Sequence, residues 1–165
     1  PEGRRFAFFA IGGFLALWTV GYGLVQALAP RILGARGLPE GEVVAKAVRW
    51  AALLVPIPFA LAAAVWLAGE PATWLTATLV LGLLLFGAVF AVNSAVHSYL
   101  ILAFGEAGRI TRDVGFYYMS NAAGRLLGTL LSGLSYQAGG LALCLAAAGV
   151  MAGLSWLAAL RLRGA

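Results

Sequence analysis

The chain has 165 residues, of which 62% are hydrophobic and 10% charged, and its mean hydropathy is +0.95. A soluble domain has about half apolar and about a quarter charged residues, so this composition excludes that class. The net charge of +5 would suggest a nucleic-acid surface in a soluble protein. Here the basic residues lie between apolar stretches, so we expect a lipid bilayer as the partner and no nucleic acid.

Five apolar stretches are each close to or longer than the roughly 20 residues that cross a bilayer as a helix. They lack the alternation of polar and apolar residues that a membrane barrel strand needs. The predicted fold class is all-α, a polytopic membrane helix bundle within a single transmembrane domain over 1–165. The predicted spans are 6–29, 50–68, 74–104, 114–137 and 141–160.

Prolines and glycines predict where the helices bend or end. Pro56 and Pro58 remove two backbone donors, so we expect a kink in the second span. The segment 138–140 predicts a tight glycine turn. The segments 30–49 and 105–113 are predicted to be the real loops.

The basic residues predict the orientation, because cytoplasmic loops of membrane proteins carry an excess of Lys and Arg. One side of the predicted bundle has only Arg4 and Arg5. The other side carries Arg31, Arg36, Lys46, Arg49, Arg109, Arg112, Arg161 and Arg163. We therefore expect a cytoplasmic C-terminus in the cell (inner) membrane. Since Pro1 would then start outside without an initiating Met or a signal peptide, we expect the C-terminal part of a longer membrane protein.

Arg125 is the charged residue that lies midway along a predicted span, where a charge is costly and usually functional. Asn121 precedes it by one turn and Thr129 follows it by one turn, so the three share a face. All six acidic residues lie in loops or at span edges. The guanidinium is therefore a candidate ligand for an anion, and the structural alternative is a cation that caps the carbonyls of a neighbouring helix.

The third span carries Asn93 and His97 at helical spacing. Counted from the cytoplasmic ends, Asn93 and Arg125 lie about 16 Å deep and His97 and Asn121 about 10 Å deep. If the two helices are neighbours, these residues form a polar patch that binds a planar anion through the bidentate guanidinium. The alternatives are a neutral histidine bonded to a backbone carbonyl or to Asn93, and asparagines that only join helices.

Catalytic motifs are not recognisable. Leu131-Ser132-Gly133 lacks the first glycine of an intramembrane serine protease motif, and the spans contain no carboxylate for an aspartyl protease. The single Cys144 forms no disulfide within the chain, and no cluster has metal-ligand spacing. We expect no enzyme, no cofactor and no metal.

The long first loop, the segment NSAVHSYL at 93–100 and the glycine-rich fourth span resemble the C-terminal half of a major facilitator superfamily transporter. More narrowly, GFLALW at 13–18, HSYLILAF at 97–104 and VGFYYMSNAAGRLLGT at 114–129 are similar to the ArsJ-like organoarsenical efflux permeases of arsenic operons. The five spans would then be the last five of twelve helices, with the N-terminal half of the transporter as a missing partner.

This resemblance implies arsenic resistance through efflux of 1-arseno-3-phosphoglycerate, which forms when glyceraldehyde-3-phosphate dehydrogenase accepts arsenate. A functional link to that dehydrogenase follows from it. The implied mechanism is alternating access with the small anionic substrate held near the midplane. Arg125 would be the main ligand, assisted by Asn121, Asn93 and His97. Two alternatives remain: a transporter of another organic anion or drug, and a five-span membrane protein that transports nothing.

Overall fold

The computed structural model describes residues 2–34, 38–104 and 108–163, and these residues form helices joined by short connections. The helices are α1 (Glu2–Leu33), α2 (Glu40–Leu54), α3 (Pro56–Ala68), α4 (Thr73–Phe104) and α5 (Ile110–Leu160), followed by a short 3₁₀ helix (Arg161–Arg163). Four stretches are long and apolar enough to cross a membrane: Arg5–Leu33, Glu40–Ala68, Thr73–Ile101 and Ile110–Leu160. The secondary structure of the described residues is thus all helical, and the chain has the features of a membrane protein.

The predicted loop 30–49 is wrong over most of its length, because α1 continues to Leu33 and α2 begins at Glu40. Charged residues in this segment led to the loop prediction, yet they suit a helix. Glu40 and Glu42 lie in the first turn, where the helix dipole favours negative charge. Lys46 reaches back from α2 and donates a hydrogen bond from Nζ to the backbone oxygen of Leu33, at the end of α1.

At the predicted kink the structure interrupts the helix between α2 and α3, while the backbone of the joining residue Val55 stays helical (φ −64°, ψ −49°). Pro56 has no N–H to bond the carbonyl of Ala52, which lies four residues earlier. That carbonyl accepts a hydrogen bond from the Val55 amide instead, at 3.2 Å. The apolar stretch 50–68 therefore continues across two helices that meet at Val55.

The predicted glycine turn is confirmed inside α5, whose 51 residues would extend about 76 Å if the helix were straight. Gly139 (φ −156°, ψ 25°) and Gly140 (φ +65°, ψ −158°) have non-helical backbone angles. We call the parts before and after them α5N (110–138) and α5C (141–160). Ser132 Oγ lies 3.3 Å from Cys144 Sγ across the turn, so the two parts fold back on each other.

Contacts between helices fix their relative directions. α1 runs parallel to α4, since Trp18 Nε1 donates to the Leu83 carbonyl at 3.1 Å and the ring of Tyr22 lies 6.0 Å from that of Phe90. The largest buried cluster joins the end of α1, the start of α2 and the second half of α4. Its members are Ala29, Leu33, Val43, Val44, Ala47, Val92, Val96 and Leu100.

The helix α5C packs against α2 and α3 in the opposite direction. A side-chain atom added at Gly149 would lie 2.8 Å from the Phe59 ring, so the two helices approach closely there. Val48, Ala51 and Ala159 form the second buried cluster. Burial is uneven along the chain. In the most apolar 18-residue segment of Glu40–Ala68 and of Thr73–Ile101, 22% of the residues are buried, against 6% in Ile110–Leu160 and none in Arg5–Leu33. The outer faces of α1 and α5 are therefore the most available to lipid or to another protein segment.

Candidate functional site

Arg125 lies exposed on α5N, with Asn121 exposed one turn before it. The Thr129 hydroxyl donates a hydrogen bond to the Arg125 backbone oxygen at 2.8 Å. This bond involves the main chain of Arg125 and not its guanidinium. Within the described residues, the guanidinium has no hydrogen-bond or ion-pair partner. The structural alternative, in which it caps the carbonyls of a neighbouring helix, finds no supporting contact in this part of the chain.

His97 is held by its own helix. Its Nδ1 lies 2.9 Å from the Asn93 backbone oxygen, and a carbonyl accepts only from a protonated nitrogen. The neutral ring therefore has its proton on Nδ1 and its lone pair on Nε2. This is the hydrogen bond that the alternative interpretation of His97 predicted, and it leaves Nε2 available for another group.

Asn93 is the buried polar residue of the described core, with 8% of its surface exposed. Its side-chain oxygen Oδ1 has no hydrogen-bond partner. A buried unpaired polar group costs about 1–3 kcal/mol of stability. No contact among the described residues therefore offsets the burial of this oxygen.

The helices α4 and α5N are neighbours, as the predicted polar patch requires. The Ser98 and Tyr117 hydroxyls lie 3.2 Å apart, and Asn93 and Gly128 line one cavity. Arg125 does not line this cavity. At about 100° per residue Arg125 lies about 60° around the helix from Gly128 and about 20° from Ser132, which both line the cavity, so it is on the same side of α5N, one to two turns away. Asn93 and His97 are therefore together, Asn121 and Arg125 are together, and the structure shows no contact between the two pairs.

The cavity beside Asn93 has a volume of about 360 Å³ and is open on one side. Side chains from α2, α4, α5N and α5C line it. Most are apolar, as Leu54, Phe86, Phe90 and Met151 illustrate. The signal of this cavity in the sequence is weak: Gly128 and Ser132 repeat at four-residue spacing, which is typical of close helix packing.

Comparison of the chain with protein-family models, with curated proteins and with solved structures gives no match. No group of three or more His, Cys, Asp or Glu side chains suited to a metal ion occurs in the residues that the structure describes.

Proposed function

We propose that the chain is the C-terminal part of a major facilitator-type transporter that crosses the cell membrane five times and exports a small organic anion. The proposed substrate is an organoarsenical such as 1-arseno-3-phosphoglycerate. The single observation that carries this proposal is the unpaired guanidinium of Arg125 on a long apolar helix. The motifs at 93–100 and 114–129 support the narrower choice of substrate.

Five crossings are supported by the geometry of α5. A straight 51-residue helix would be far longer than the hydrocarbon core of about 30 Å. The turn at Gly139 and Gly140 and the contact of Ser132 with Cys144 divide it into two antiparallel parts. With the excess of Lys and Arg at the opposite ends of the helices, this arrangement favours a cytoplasmic C-terminus.

An unpaired guanidinium in an apolar layer needs a compensating anion. No Asp or Glu lies on α3 or α4, and the one acidic residue of α5 is Asp113, in its first turn. Asp113 lies 3.8 Å from Arg112. Since the planar guanidinium binds carboxylate and phosphate in a bidentate manner, an arseno or phosphoryl group on the substrate suits Arg125.

The remaining predicted ligands take supporting roles. Asn121 adds an amide on the same face of α5N as Arg125. His97 offers Nε2 to the substrate or to a proton, and the Asn93 backbone oxygen fixes the ring through Nδ1. Rocking of this part against the N-terminal half would expose the anion to each side of the membrane in turn.

The proposal is tested with the full-length gene in a bacterial strain that lacks arsenic exporters and produces glyceraldehyde-3-phosphate dehydrogenase. Cells receive arsenate, and retained arsenic is measured by elemental mass spectrometry. We expect the wild-type gene to lower retention. Arg125→Ala should reduce efflux by about 10- to 100-fold, because it removes a charged, bidentate contact. Arg125→Lys should retain part of the activity, since lysine keeps the positive charge but lacks the planar group that binds an anion through two hydrogen bonds.

Arg161→Ala is the matched control, because Arg161 is exposed at the end of α5C. It should transport normally, and immunoblots of membranes should show equal abundance of all variants. Normal efflux by Arg125→Ala at equal abundance would rule out the anion-ligand role. If the wild-type gene itself leaves arsenic retention unchanged, the organoarsenical substrate is wrong.

A further inference from the structure

One side of α5N carries a row of polar side chains along most of the helix. At about 100° per residue, every residue of 118–136 that lies within about 40° of Arg125 around the helix axis is polar and exposed. This polar row consists of Tyr118, Asn121, Arg125, Thr129, Ser132 and Tyr136. It extends about 27 Å, which is close to the roughly 30 Å of a hydrocarbon core.

The opposite face of α5N is mostly apolar. Its large side chains are each more than half exposed: Phe116, Met119, Leu127, Leu130 and Leu134. Lipid solvates exposed apolar side chains, whereas polar side chains in lipid lack partners for their hydrogen bonds. The apolar face therefore suits the bilayer, and the polar row needs a different environment.

The chemistry of the polar row suits an anion. It has several hydrogen-bond donors and one positive charge, and it contains no carboxylate. The hydroxyls of Tyr118 and Tyr136 have no hydrogen-bond partner among the described residues. Tyrosines are common where a span meets water, but an interface position does not require both to lie within about 20° of Arg125. Donors along the whole row can replace the water shell of a moving anion.

The size of the side chains favours water over a closely packed helix as the neighbour of the polar row. Helices in membranes pack closely through small residues. The small residues Gly124 and Gly128 lie about 60–100° to one side of Arg125. The row itself has three long side chains, on Tyr118, Arg125 and Tyr136. These side chains would hold a second helix away from the backbone of α5N and leave polar space between the two helices.

We infer that the polar row lines a water-filled path for the transported anion, with Tyr118 and Tyr136 on either side of Arg125. The inference rests on the proposed anion transport and deepens it, because it extends the anion contacts along the length of a helix. As the transporter alternates, the parts of the row on each side of Arg125 contact water in turn. The apolar face stays in lipid throughout.

The test measures thiol reactivity at two pairs of adjacent residues, in the full-length protein without other cysteines. Tyr118→Cys and Thr129→Cys place a thiol in the polar row. Met119→Cys and Leu130→Cys are the matched controls, at nearly the same depth on the apolar side. Unsealed membranes receive the anionic reagent 2-sulfonatoethyl methanethiosulfonate, which reaches both sides.

The thiols in the polar row should react at least about tenfold faster than their neighbours, because the reagent needs a thiolate, which forms in water and not in lipid. After denaturation in SDS all four variants should react alike. Equal rates within either pair of the native protein, whether fast or slow, overturn the water-filled path. Slow reaction of both thiols would place a packed protein segment or lipid against the polar row.

The charge of the reagent tests whether the path suits an anion. The cationic reagent 2-(trimethylammonio)ethyl methanethiosulfonate is compared with the anionic one, each relative to its rate with free 2-mercaptoethanol. At Thr129→Cys, one turn from Arg125, the anionic reagent should be favoured about three- to tenfold, and Arg125→Ala should remove this preference. Arg161→Ala is the control and should keep it. A preference that is absent, or that survives the loss of Arg125, overturns the anion path.

This experiment separates the path from the proposed substrate, because labelling needs no arsenical. If the polar row labels as expected in a protein that leaves arsenic retention unchanged, the arsenical substrate is wrong and the anion path stands. If the two faces label alike in a protein that exports arsenic, the path is wrong and the transport function stands.

Discussion

Trp18 fixes α1 against α4, and Gly87 makes room for it. The indole Nε1 donates to the Leu83 carbonyl at 3.1 Å, and its ring stacks on Tyr22 with centroids 5.6 Å apart. A Cβ added at Gly87 would lie 2.6 Å from Nε1. The ring is rigid and hydrogen-bonded, so it has little freedom to yield. At this position glycine is required by close approach.

We expect Gly87→Ala to lower the free energy of unfolding by about 1–3 kcal/mol, because the indole must shift or the helices must separate. Thermal unfolding in detergent measures the effect. Gly12→Ala is the control, since an added Cβ there meets nothing within 4 Å and alanine favours the helix by up to about 1 kcal/mol. Equal stability of the two variants would show that Trp18 does not confine Gly87.

The sequence predicts the candidate site residues better than it predicts their arrangement. A charge within a long apolar stretch costs free energy whichever direction its helix face points, so Arg125 can be identified from the sequence alone. Which face of α5N meets α4 depends on contacts distant in the chain, such as that of Ser98 with Tyr117. Helical spacing alone therefore could not predict whether the side of α5N that carries Arg125 contacts Asn93.

At the scale of the helices, Gly140 allows α5 to fold back. Its φ of +65° and ψ of −158° lie in a region that is essentially restricted to glycine. Gly139, with φ of −156°, has an extended φ that other residues adopt. The reversal of the chain therefore depends more on Gly140 than on Gly139.

Gly140→Ala should destabilise the protein by about 1–3 kcal/mol, because alanine is strained in that conformation. The measurement is the unfolding midpoint in detergent. Gly124→Ala, on the exposed and regular part of α5N, is the control and should leave the midpoint unchanged or raise it. If the two variants unfold alike, Gly140 does not adopt this conformation in the detergent-solubilised protein.

Apolar helices and their breaks were predictable because length, proline and glycine act locally. The start of α2 was not, because Lys46 and the acidic residues of its first turn look like a loop in a hydropathy profile. Their neighbours Val43, Val44 and Ala47 are buried against α1 and α4. Tertiary burial of one face thus extends this helix beyond the apolar stretch.

At the scale of the whole molecule, the order of the helices predicts sidedness. In the full-length protein without other cysteines, Glu70→Cys and Arg161→Cys place one thiol at each end of the bundle. A membrane-impermeant maleimide should label Glu70→Cys in intact cells and Arg161→Cys only after permeabilisation, because the positive-inside rule puts the basic end in the cytoplasm. Labelling of both thiols from the same side would contradict the five crossings, and the reverse pattern would contradict the orientation.

The short turns also limit how other proteins recognise the chain. At the end of the bundle that holds the connection 69–72 and the turn at Gly139 and Gly140, the described connections contain few residues outside the lipid. A stable complex buries about 800 Å² on each partner. Neither connection alone supplies such an area, so a protein that docks at this end of the bundle must also contact the helix ends beside the connections.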